Sequence, residues 1–175
     1  YTMDGSDPRL SGAAVSQASE AVLVSQDAAK RILVPTQEID PQWRNSRTFD
    51  DSAWMAAEGK PGGVGFERGA GYEDYISADV NDFMHGVNAT CYIRIPFEYA
   101  QRAGGWNSMT LRVRYDDGFV AYLNGVEVAR RNFEGTPAWN SRAAAGRPDA
   151  QAVQFEQIDL SAFLNLVRPG ANVLA

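Results

Sequence analysis

Residues 115–130 read Tyr-Asp-Asp-Gly-Phe-Val-Ala-Tyr-Leu-Asn-Gly-Val-Glu-Val-Ala-Arg, and the Asn-Gly pair at 124–125 is the strongest local signal in the chain. Asn-Gly supplies the two positive-φ residues that a type I′ turn requires, so the flanking runs Phe119–Leu123 and Val126–Ala129 are expected to pair as a hairpin. The preceding run, Met109–Tyr115, alternates apolar and polar residues, which is typical of a strand with one buried face. Such strands belong to antiparallel sheets.

Strand-like runs recur on both sides of this hairpin. Downstream, Asp159 and Ser161 are suited to cap a short helix, which Pro169-Gly170 ends before a last strand. The segment from 56 to 90 is rich in glycine and is interpreted as irregular. The sequence therefore predicts an all-β fold, an antiparallel β-sandwich. The further predicted strands are Lys30–Pro35, Cys91–Phe97 and Ala152–Ile158.

Composition argues against several classes of function. The 175 residues carry 16 Lys and Arg against 22 Asp and Glu, a formal charge of -6, so no basic field is available to hold nucleic-acid phosphates. One Cys and one His do not suffice for a disulfide framework, a zinc cluster or most nucleophilic dyads. No window approaches 18 consecutive apolar residues, so no membrane span is predicted. We expect a protein that is not an enzyme and does not bind nucleic acid.

Residues 1–27 differ in composition from the rest of the chain. Tyr1–Pro8 reads as a strand end followed by an Asp-Gly turn, and a small, polar stretch continues to Gln26. Fewer than about 40 residues rarely fold alone. We therefore expect 1–27 to be the tail of a preceding β-domain plus a connector, and 28–175 to form the sandwich.

Two acidic segments are candidate calcium sites, because calcium prefers oxygen ligands. Glu73 and Asp74 lie in the irregular middle of the chain, and Asp116 and Asp117 lie at a strand end before Gly118. A solvated acidic loop is the alternative for the first segment, and capping of the bend is the alternative for the second. Adjacent residues on a strand face opposite sides, so the second pair is not expected to act as a paired acid and base.

Aromatic residues in predicted loops are candidate sugar-binding surfaces, because a flat ring face is suited to stack on a sugar ring. Tyr72, Tyr75, Trp106 and Trp139 hold such positions. Arg114, on a strand surface, is a candidate for bidentate contact with acidic sugar groups. The alternatives are rings that cover the edge of the sandwich and an arginine paired with one of the many carboxylates.

Several other motifs are interpreted as structural. Phe49–Trp54 predicts a short turn in which an Asp caps the chain and the two rings pack under the sandwich. Pro61–Phe66 predicts a tight bend where backbones approach closely, since no Gly-Lys-Ser/Thr follows it. Cys91 is expected to be a small buried hydrophobe and His85 a hydrogen-bonded structural residue. Asn88-Ala-Thr90 fits the N-glycosylation sequon.

Seven parts of the chain together match one family pattern: Trp43, Phe49–Trp54, Gly62–Glu67, Gly71–Tyr75, His85–Asn88, Tyr92–Pro96 and Tyr115–Arg130. They resemble a galactose-binding-like jelly-roll module of large secreted or surface proteins from planctomycetes and related bacteria. Tyr1–Pro8 resembles the end of a chitobiase C-terminal-like domain. Family members continue with another strand past the final Val-Leu-Ala, so the resemblance implies a sandwich cut short at its C-terminus.

The resemblance implies a context more than an activity. It implies a non-catalytic carbohydrate-binding accessory module at a secreted or cell-surface bacterial location, with a polysaccharide or glycan and the neighbouring domains as partners. Many such sandwiches carry structural calcium, so calcium is the expected ion. A structural spacer or protein-assembly domain without glycan binding explains the missing catalytic residues equally well, and this alternative stays open.

Overall fold

The computed structural model describes residues 20–45, 47–101 and 105–175. The expected tail of a preceding domain, 1–27, therefore lies mostly outside the described residues. Helical structure in the described part is short: α1 (Asn81–Met84), α2 (Asp149–Ala152) and 3-10 turns at Pro41–Arg44, Glu73–Tyr75 and Ser161–Leu166. The strands are β1 (Lys30–Leu33), β2 (Met55–Ala57), β3 (Gly63–Gly65), β4 (Ile76–Asp79), β5 (Tyr92–Tyr99), β6 (Thr110–Val113), β7 (Phe119–Leu123), β8 (Val126–Arg131), β9 (Glu156–Asp159) and β10 (Gly170–Leu174).

These strands form one large sheet and two separate pairs. The large sheet has the order β2-β1-β5-β10-β7-β8, and each of its pairings is antiparallel. The β6–β9 pair is antiparallel and the β3–β4 pair is parallel. The prediction of an all-β fold with antiparallel sheets is therefore confirmed. Among the described residues, no helix has the length and apolar character needed to cross a membrane.

The predicted hairpin is present at the Asn-Gly pair. Asn124 has φ 51° and Gly125 has φ 86°, and β7 pairs with β8 on either side of them. A side chain at Gly125 is excluded as well, because a Cβ there would lie 2.6 Å from the Cβ of Asn45. The backbone conformation of the turn therefore favours Asn-Gly, and the packing leaves no room for a side chain at the second position.

A buried amide pair ties this hairpin to the central strand β10. The Nδ2 of Asn172 donates to the carbonyls of Arg168 and Gly170, both at 2.8 Å. Its Oδ1 accepts from the main-chain N–H of Arg168 at 2.9 Å and from the Nδ2 of Asn124 at 2.8 Å. The Oδ1 of Asn124 accepts the N–H of Val173 at 2.9 Å. Asn172 is fully buried, and each hydrogen-bonding position of its amide is used.

Two apolar clusters hold the strand pairs against the large sheet. The first joins β7 and β8 to β9, and the second joins β1 to β4. A half-open space of about 2700 Å³ is lined by residues of the large sheet, of β3, β4 and β6 and of several loops, and we call it the interlayer space. The buried members of the first cluster are Ala121, Leu123, Val128, Ala129, Ile158 and Leu160. Those of the second are Ile32, Ala78 and Val80.

The predicted Phe49–Trp54 turn is present and packs beside β5. Its Asp50 accepts the N–H of Ser52 at 3.0 Å, and the Phe49 and Trp54 rings meet edge-on with centroids 5.9 Å apart. Asp51 binds the Nε of Arg94 at 2.7 Å, and Arg94 is 3% exposed. The turn thus supplies a carboxylate to a buried guanidinium, which explains why two Asp residues stand between the two rings.

Two glycines permit a close approach of separate chain segments. A Cβ at Gly62 would lie 2.1 Å from the carbonyl oxygen of Gln26, and one at Gly63 would lie 2.1 Å from that of Tyr75. The bend places carbonyls around Lys30, whose Nζ donates to Gly62 at 2.6 Å and to Gln26 at 3.1 Å. Burial lowers the pKa of the Lys30 amine.

The structure differs from the sequence prediction in two places. The segment 56–90, expected to be irregular, contains most of β2 together with β3, β4 and α1. Elements of three or four residues are too short to show a hydrophobic period, and glycine occupies two of the three positions of β3. The strand expected from Ala152 begins instead at Glu156, because Ala152 is the buried last residue of α2.

We expect Asn172→Leu to lower the free energy of unfolding by about 3 kcal/mol, because it removes four hydrogen bonds from buried groups that leucine cannot satisfy. Urea denaturation followed by tryptophan fluorescence measures this change. Asn165→Ala, on the exposed side of the neighbouring turn, is the matched control and is expected to change it by less than about 0.5 kcal/mol. Equal losses in the two variants would contradict a stabilising role for the amide pair.

Candidate functional site

A polar cleft of about 350 Å³ opens beside the start of β9, and we call it the Glu156 cleft. Four parts of the chain line it: the bend between β6 and β7, the residue after β8, the segment around α2, and the first residue of β9. Its hydrogen-bonding and aromatic side chains are Tyr115, Asp117, Asn132, Arg147, Gln151 and Glu156. Donors and acceptors are therefore both present in a space that admits a small ligand.

Glu156 is held in place from two sides. Its Oε2 accepts the hydroxyl of Tyr115 at 2.7 Å, and its Oε1 accepts the Nε of Arg131 at 2.6 Å. These two hydrogen bonds hold the pKa of Glu156 below its usual range, and the one from Tyr115 has the larger effect. The guanidinium of Arg147 stacks 3.8 Å from the centroid of the Tyr115 ring. One wall of the cleft is thus an ionised carboxylate in a fixed position.

Arg147 brings a buried donor to the same cleft. Its main-chain N–H donates to the Oδ1 of Asp117 at 2.6 Å, and its Nη2 donates to the carbonyl of Gln151 at 3.0 Å. The side chain is 15% exposed, and its Nε is buried with no hydrogen-bond partner in the described ranges. Because this Nε is out of reach of solvent, Arg147 contributes to the cleft through the rest of its guanidinium and through the two hydrogen bonds that fix it to Asp117 and Gln151.

The adjacent carboxyl groups of Asp116 and Asp117 lie beside the cleft, and the charge of Asp149 acts on them. Burial, a hydrogen bond to Asp117 and the charges of Asp117 and Asp149 raise the pKa of Asp116 to about 6. The Tyr72 hydroxyl lies near the same group, and burial followed by the charges of Asp116 and Asp149 raises the pKa of Tyr72. The structure therefore brings two predicted site residues, Tyr72 and Asp116, from distant parts of the chain to one place.

The expectation that Asp116 and Asp117 face opposite sides is wrong. The two residues lie in a bend between β6 and β7, and their peptide bond is cis. Their carboxyl groups interact directly. Strand alternation applies to extended pleated backbone, and it does not extend into this bend.

The two predicted calcium segments differ in their surroundings. In the first, the Oε2 of Glu73 accepts the N–H of Gly71 at 2.8 Å, which lowers the pKa of Glu73, and Asp74 is exposed. In the second, the charge of Asp149 raises the pKa of Asp116 together with the hydrogen bond and the charge from Asp117. Within the described ranges, no three His, Cys, Asp or Glu side chains converge as a metal site. A cation at either place would need main-chain carbonyls or water among its ligands.

Of the predicted sugar-binding residues, Tyr75 and Arg114 contact each other. The Arg114 guanidinium lies 4.8 Å from the centroid of the Tyr75 ring and 3.9 Å from that of Phe155. The Nε of Arg114 donates to the carbonyl of Val153 at 2.8 Å. Part of the Tyr75 ring is therefore covered by a guanidinium that is already engaged.

Trp106 and Trp139 lie outside the Glu156 cleft, and both are half-buried. They line the interlayer space, as do Tyr72, Tyr75 and Arg114. The structure thus places the five predicted sugar-binding residues around the interlayer space and none of them among the residues that line the cleft.

Two more sequence motifs take structural positions. Asn88 of the sequon is buried, and its Nδ2 donates to the carbonyls of Pro35 at 2.6 Å and Trp139 at 3.0 Å. The Thr90 hydroxyl donates to the carbonyl of Ser141 at 2.6 Å. Burial raises the pKa of the Cys91 thiol to about 12, so this half-buried side chain stays a protonated, unreactive thiol.

Sequence reasoning did not select Asn132, Arg147, Gln151 or Glu156. They come from separate parts of the chain, and only the packing of those parts joins them. A faint signal exists at Asn132, whose φ of 50° is one that Asn adopts more readily than most residues. Nothing in the spacing of the others distinguishes them from ordinary surface residues.

We expect the Asp116 carboxyl to titrate near pH 6 and its pKa to fall in Asp149→Asn, because one neighbouring negative charge is removed. Carboxyl ¹³C NMR measures this directly, and Asp74→Asn is the control that should leave it unchanged. Since the folded-state pKa exceeds the unfolded value of about 4, the stability contributed by this group is lost as pH rises from about 4 to about 6. An Asp116 pKa near 4 in both variants would contradict this arrangement.

Comparison with protein-family models found no match, and neither did searches of the curated proteins and of the solved structures. The function is therefore inferred from the site itself.

Proposed function

We propose that this chain is a non-catalytic carbohydrate-binding accessory module of a larger extracellular or cell-surface protein, with a galactose-binding-like jelly-roll as its architecture. The observation that carries the proposal is the Glu156 cleft, whose volume of about 350 Å³ lies in the range of small-ligand sites. Support for the architecture comes from the large antiparallel sheet and the two strand pairs packed against it.

The chemistry of the cleft suits hydroxyl groups, each of which donates and accepts hydrogen bonds. Asp117 and Glu156 offer carboxylate acceptors, Arg147 lines the cleft with a guanidinium, and Gln151 offers an amide. Because Glu156 is already fixed by Tyr115 and by an arginine, little ordering would be required on binding.

The carboxylates favour binding over hydrolysis. Glycosidases use two carboxyl groups about 5 Å or more apart, so that the sugar reacts between them. The Asp116 and Asp117 carboxyl groups interact directly, which leaves no such room. Glu156 is engaged by a hydroxyl and a guanidinium, and its lowered pKa makes it a poor proton donor near neutral pH.

We place a structural calcium ion at Asp116–Asp117 in this proposal. The Asp116 and Asp117 carboxyl groups repel each other when both are ionised, the charge of Asp149 adds to that repulsion, and a bound cation would relieve it. Oxygen atoms of this type are the ligands that calcium prefers. The position beside Asp117 would let the ion stiffen one wall of the Glu156 cleft.

The first test is a glycan array probed with and without calcium, followed by titration of any sugar that binds. We expect Gln151→Ala to weaken binding about three- to tenfold, the effect of losing one hydrogen bond. Gln154→Ala is the matched control, since it lies three residues away and does not line the cleft. Absence of binding to every glycan on the array, or equally weakened sugar binding in the two variants, would count against the cleft as a sugar site.

The second test is the melting temperature with and without calcium. We expect 1 mM calcium to raise it by about 3 °C, because an ion that binds the folded state stabilises it. Asp116→Asn combined with Asp117→Asn should remove the rise, whereas Glu73→Gln combined with Asp74→Asn should keep it. A melting temperature that does not depend on calcium would contradict the ion site.

One observation favours the second candidate function, a spacer or assembly domain. Phe83 is 53% exposed and Val87 is 68% exposed, and both lie at or just after α1. Exposed apolar side chains close together in sequence are suited to contact a neighbouring domain of the same polypeptide. A glycan array on which the protein binds no glycan would favour the spacer or assembly function.

A further inference from the structure

Two arginines and two aromatic rings pack against one another beside β6. The Arg114 guanidinium contacts the rings of Tyr75 and Phe155, as described above, and the Arg112 guanidinium lies over the same Phe155 ring, 4.9 Å from its centroid. All four side chains line the half-open interlayer space. We call Tyr75, Arg112, Arg114 and Phe155 the arginine cluster.

The alternation along β6 determines the direction in which this cluster points. Leu111 and Val113 pack on the first apolar cluster, so Arg112 and Arg114 point away from it. Gln157 lies directly opposite Arg112 in the β6–β9 ladder, and both side chains are exposed. A ligand that reaches Arg112 can therefore also reach the amide of Gln157.

The two arginines differ in how far their donors are already used. Arg114 is half-buried, its Nε donates to the carbonyl of Val153 at 2.8 Å, and its Nη1 donates to the side chain of Gln26 at 3.3 Å. In the described ranges, neither a hydrogen bond nor an ion pair engages the Arg112 guanidinium, whose contact is with the Phe155 ring. The donors that remain available to a ligand are thus those of Arg112.

The charges around the cluster favour an anion. The chain has a formal charge of -6, yet among the described residues no ion pair joins Arg112 or Arg114 to a carboxylate. Asp159 lies on the same face by alternation, but its Oδ1 accepts the N–H of Ser161 at 2.8 Å. Because both guanidinium groups contact one ring, their positive charges add at this place.

We propose that Arg112 binds the carboxylate of an acidic sugar, a hexuronate unit of a polysaccharide, and that Gln157 bonds a hydroxyl of the same unit. A guanidinium that lies over a ring keeps the N–H groups of its edge free, and two of them match the two oxygens of a planar carboxylate. Phe155 is 37% exposed and offers an apolar surface beside the bound sugar.

The geometry favours a carboxylate over a sulfate ester. The three free oxygens of a sulfate ester are best satisfied by donors that converge from more than one side chain. The donors of Arg114 are directed to Val153 and Gln26, which leaves the single fork of Arg112. One fork is complementary to one carboxylate.

The structure therefore assigns the acidic sugar contact to Arg112 and not to Arg114, the arginine that the sequence indicates. Arg114 is a positioning residue in this site, because it contacts the Phe155 ring over which Arg112 lies. Its own position is fixed by the Val153 carbonyl and by the Tyr75 ring.

This site extends the proposed carbohydrate-binding function to a class of sugar, and it is separate from the Glu156 cleft. By alternation, Glu156 points to the opposite face of β9 from Gln157. Neither Arg112 nor Phe155 lines the cleft. The two sites can therefore fail independently.

The test is a calorimetric titration with an oligogalacturonate in calcium-free buffer, because uronates themselves bind calcium. We expect Arg112→Gln to weaken binding about tenfold or more, the effect of losing hydrogen bonds to a charged group. Arg112→Lys keeps the charge without the fork and should weaken it about threefold. The methyl ester of the same oligogalacturonate lacks the carboxylate and should bind the two chains, with Arg112 or Gln at this position, equally weakly.

Arg168→Gln is the matched control. It removes the same charge from an exposed side chain that precedes β10 in the large sheet, so it should change the affinity by less than about twofold. Gln151→Ala, which alters the Glu156 cleft, should leave uronate binding unchanged.

Four results would overturn the proposal. The first is no binding of the oligogalacturonate to the unsubstituted chain. The second is equal weakening by Arg112→Gln and Arg168→Gln, which would show a general effect of charge. The third is binding of dextran sulfate that is as tight and as dependent on Arg112. The fourth is loss of uronate binding in Gln151→Ala, which would place the acidic sugar in the Glu156 cleft.

Discussion

The buried amide of Asn172 is the constraint on which the rest of the structure depends. It uses its four hydrogen-bonding positions within one short stretch of β10 and on the Asn124 side chain at the hairpin turn. A buried amide without partners is costly, so other registers of β10 against the hairpin are disfavoured. Since β10 is central in the sheet, fixing its register also fixes the position of β7 relative to β5.

The β7–β8 hairpin connects the turn that Asn172 fixes to the Glu156 cleft. β7 and β8 run from the turn to the Phe119–Arg131 pair, and beyond that pair lie the Asp116–Asp117 bend and Asn132. Gly118 lets the two sides meet, because a Cβ there would lie 2.8 Å from the carbonyl oxygen of Arg131. The cleft is thus built at the far end of the hairpin, and its geometry follows from a turn at the other end.

The sequence alone predicts the fold class, but it predicts few of the residues that line the Glu156 cleft. The Asn-Gly turn and the alternation along Met109–Tyr115 are local signals, and both correspond to observed strands. The cleft is a product of packing, since Asn132 and Glu156 meet without any motif that joins them. The sequence indicates Asp116 and Asp117 as candidate calcium ligands, but their interaction with each other depends on a bend that strand alternation does not describe.

The enclosure of Lys30 has a practical consequence for chemical labelling. Lys30 and Lys60 are the two lysines of the chain, and the carbonyls of Gln26 and Gly62 hold the amine of the first in a buried position. Lys60 is exposed. Among the lysines, activated esters therefore acylate Lys60 in the folded chain and spare Lys30. Acylation at Lys30 would report that the bend around it has opened.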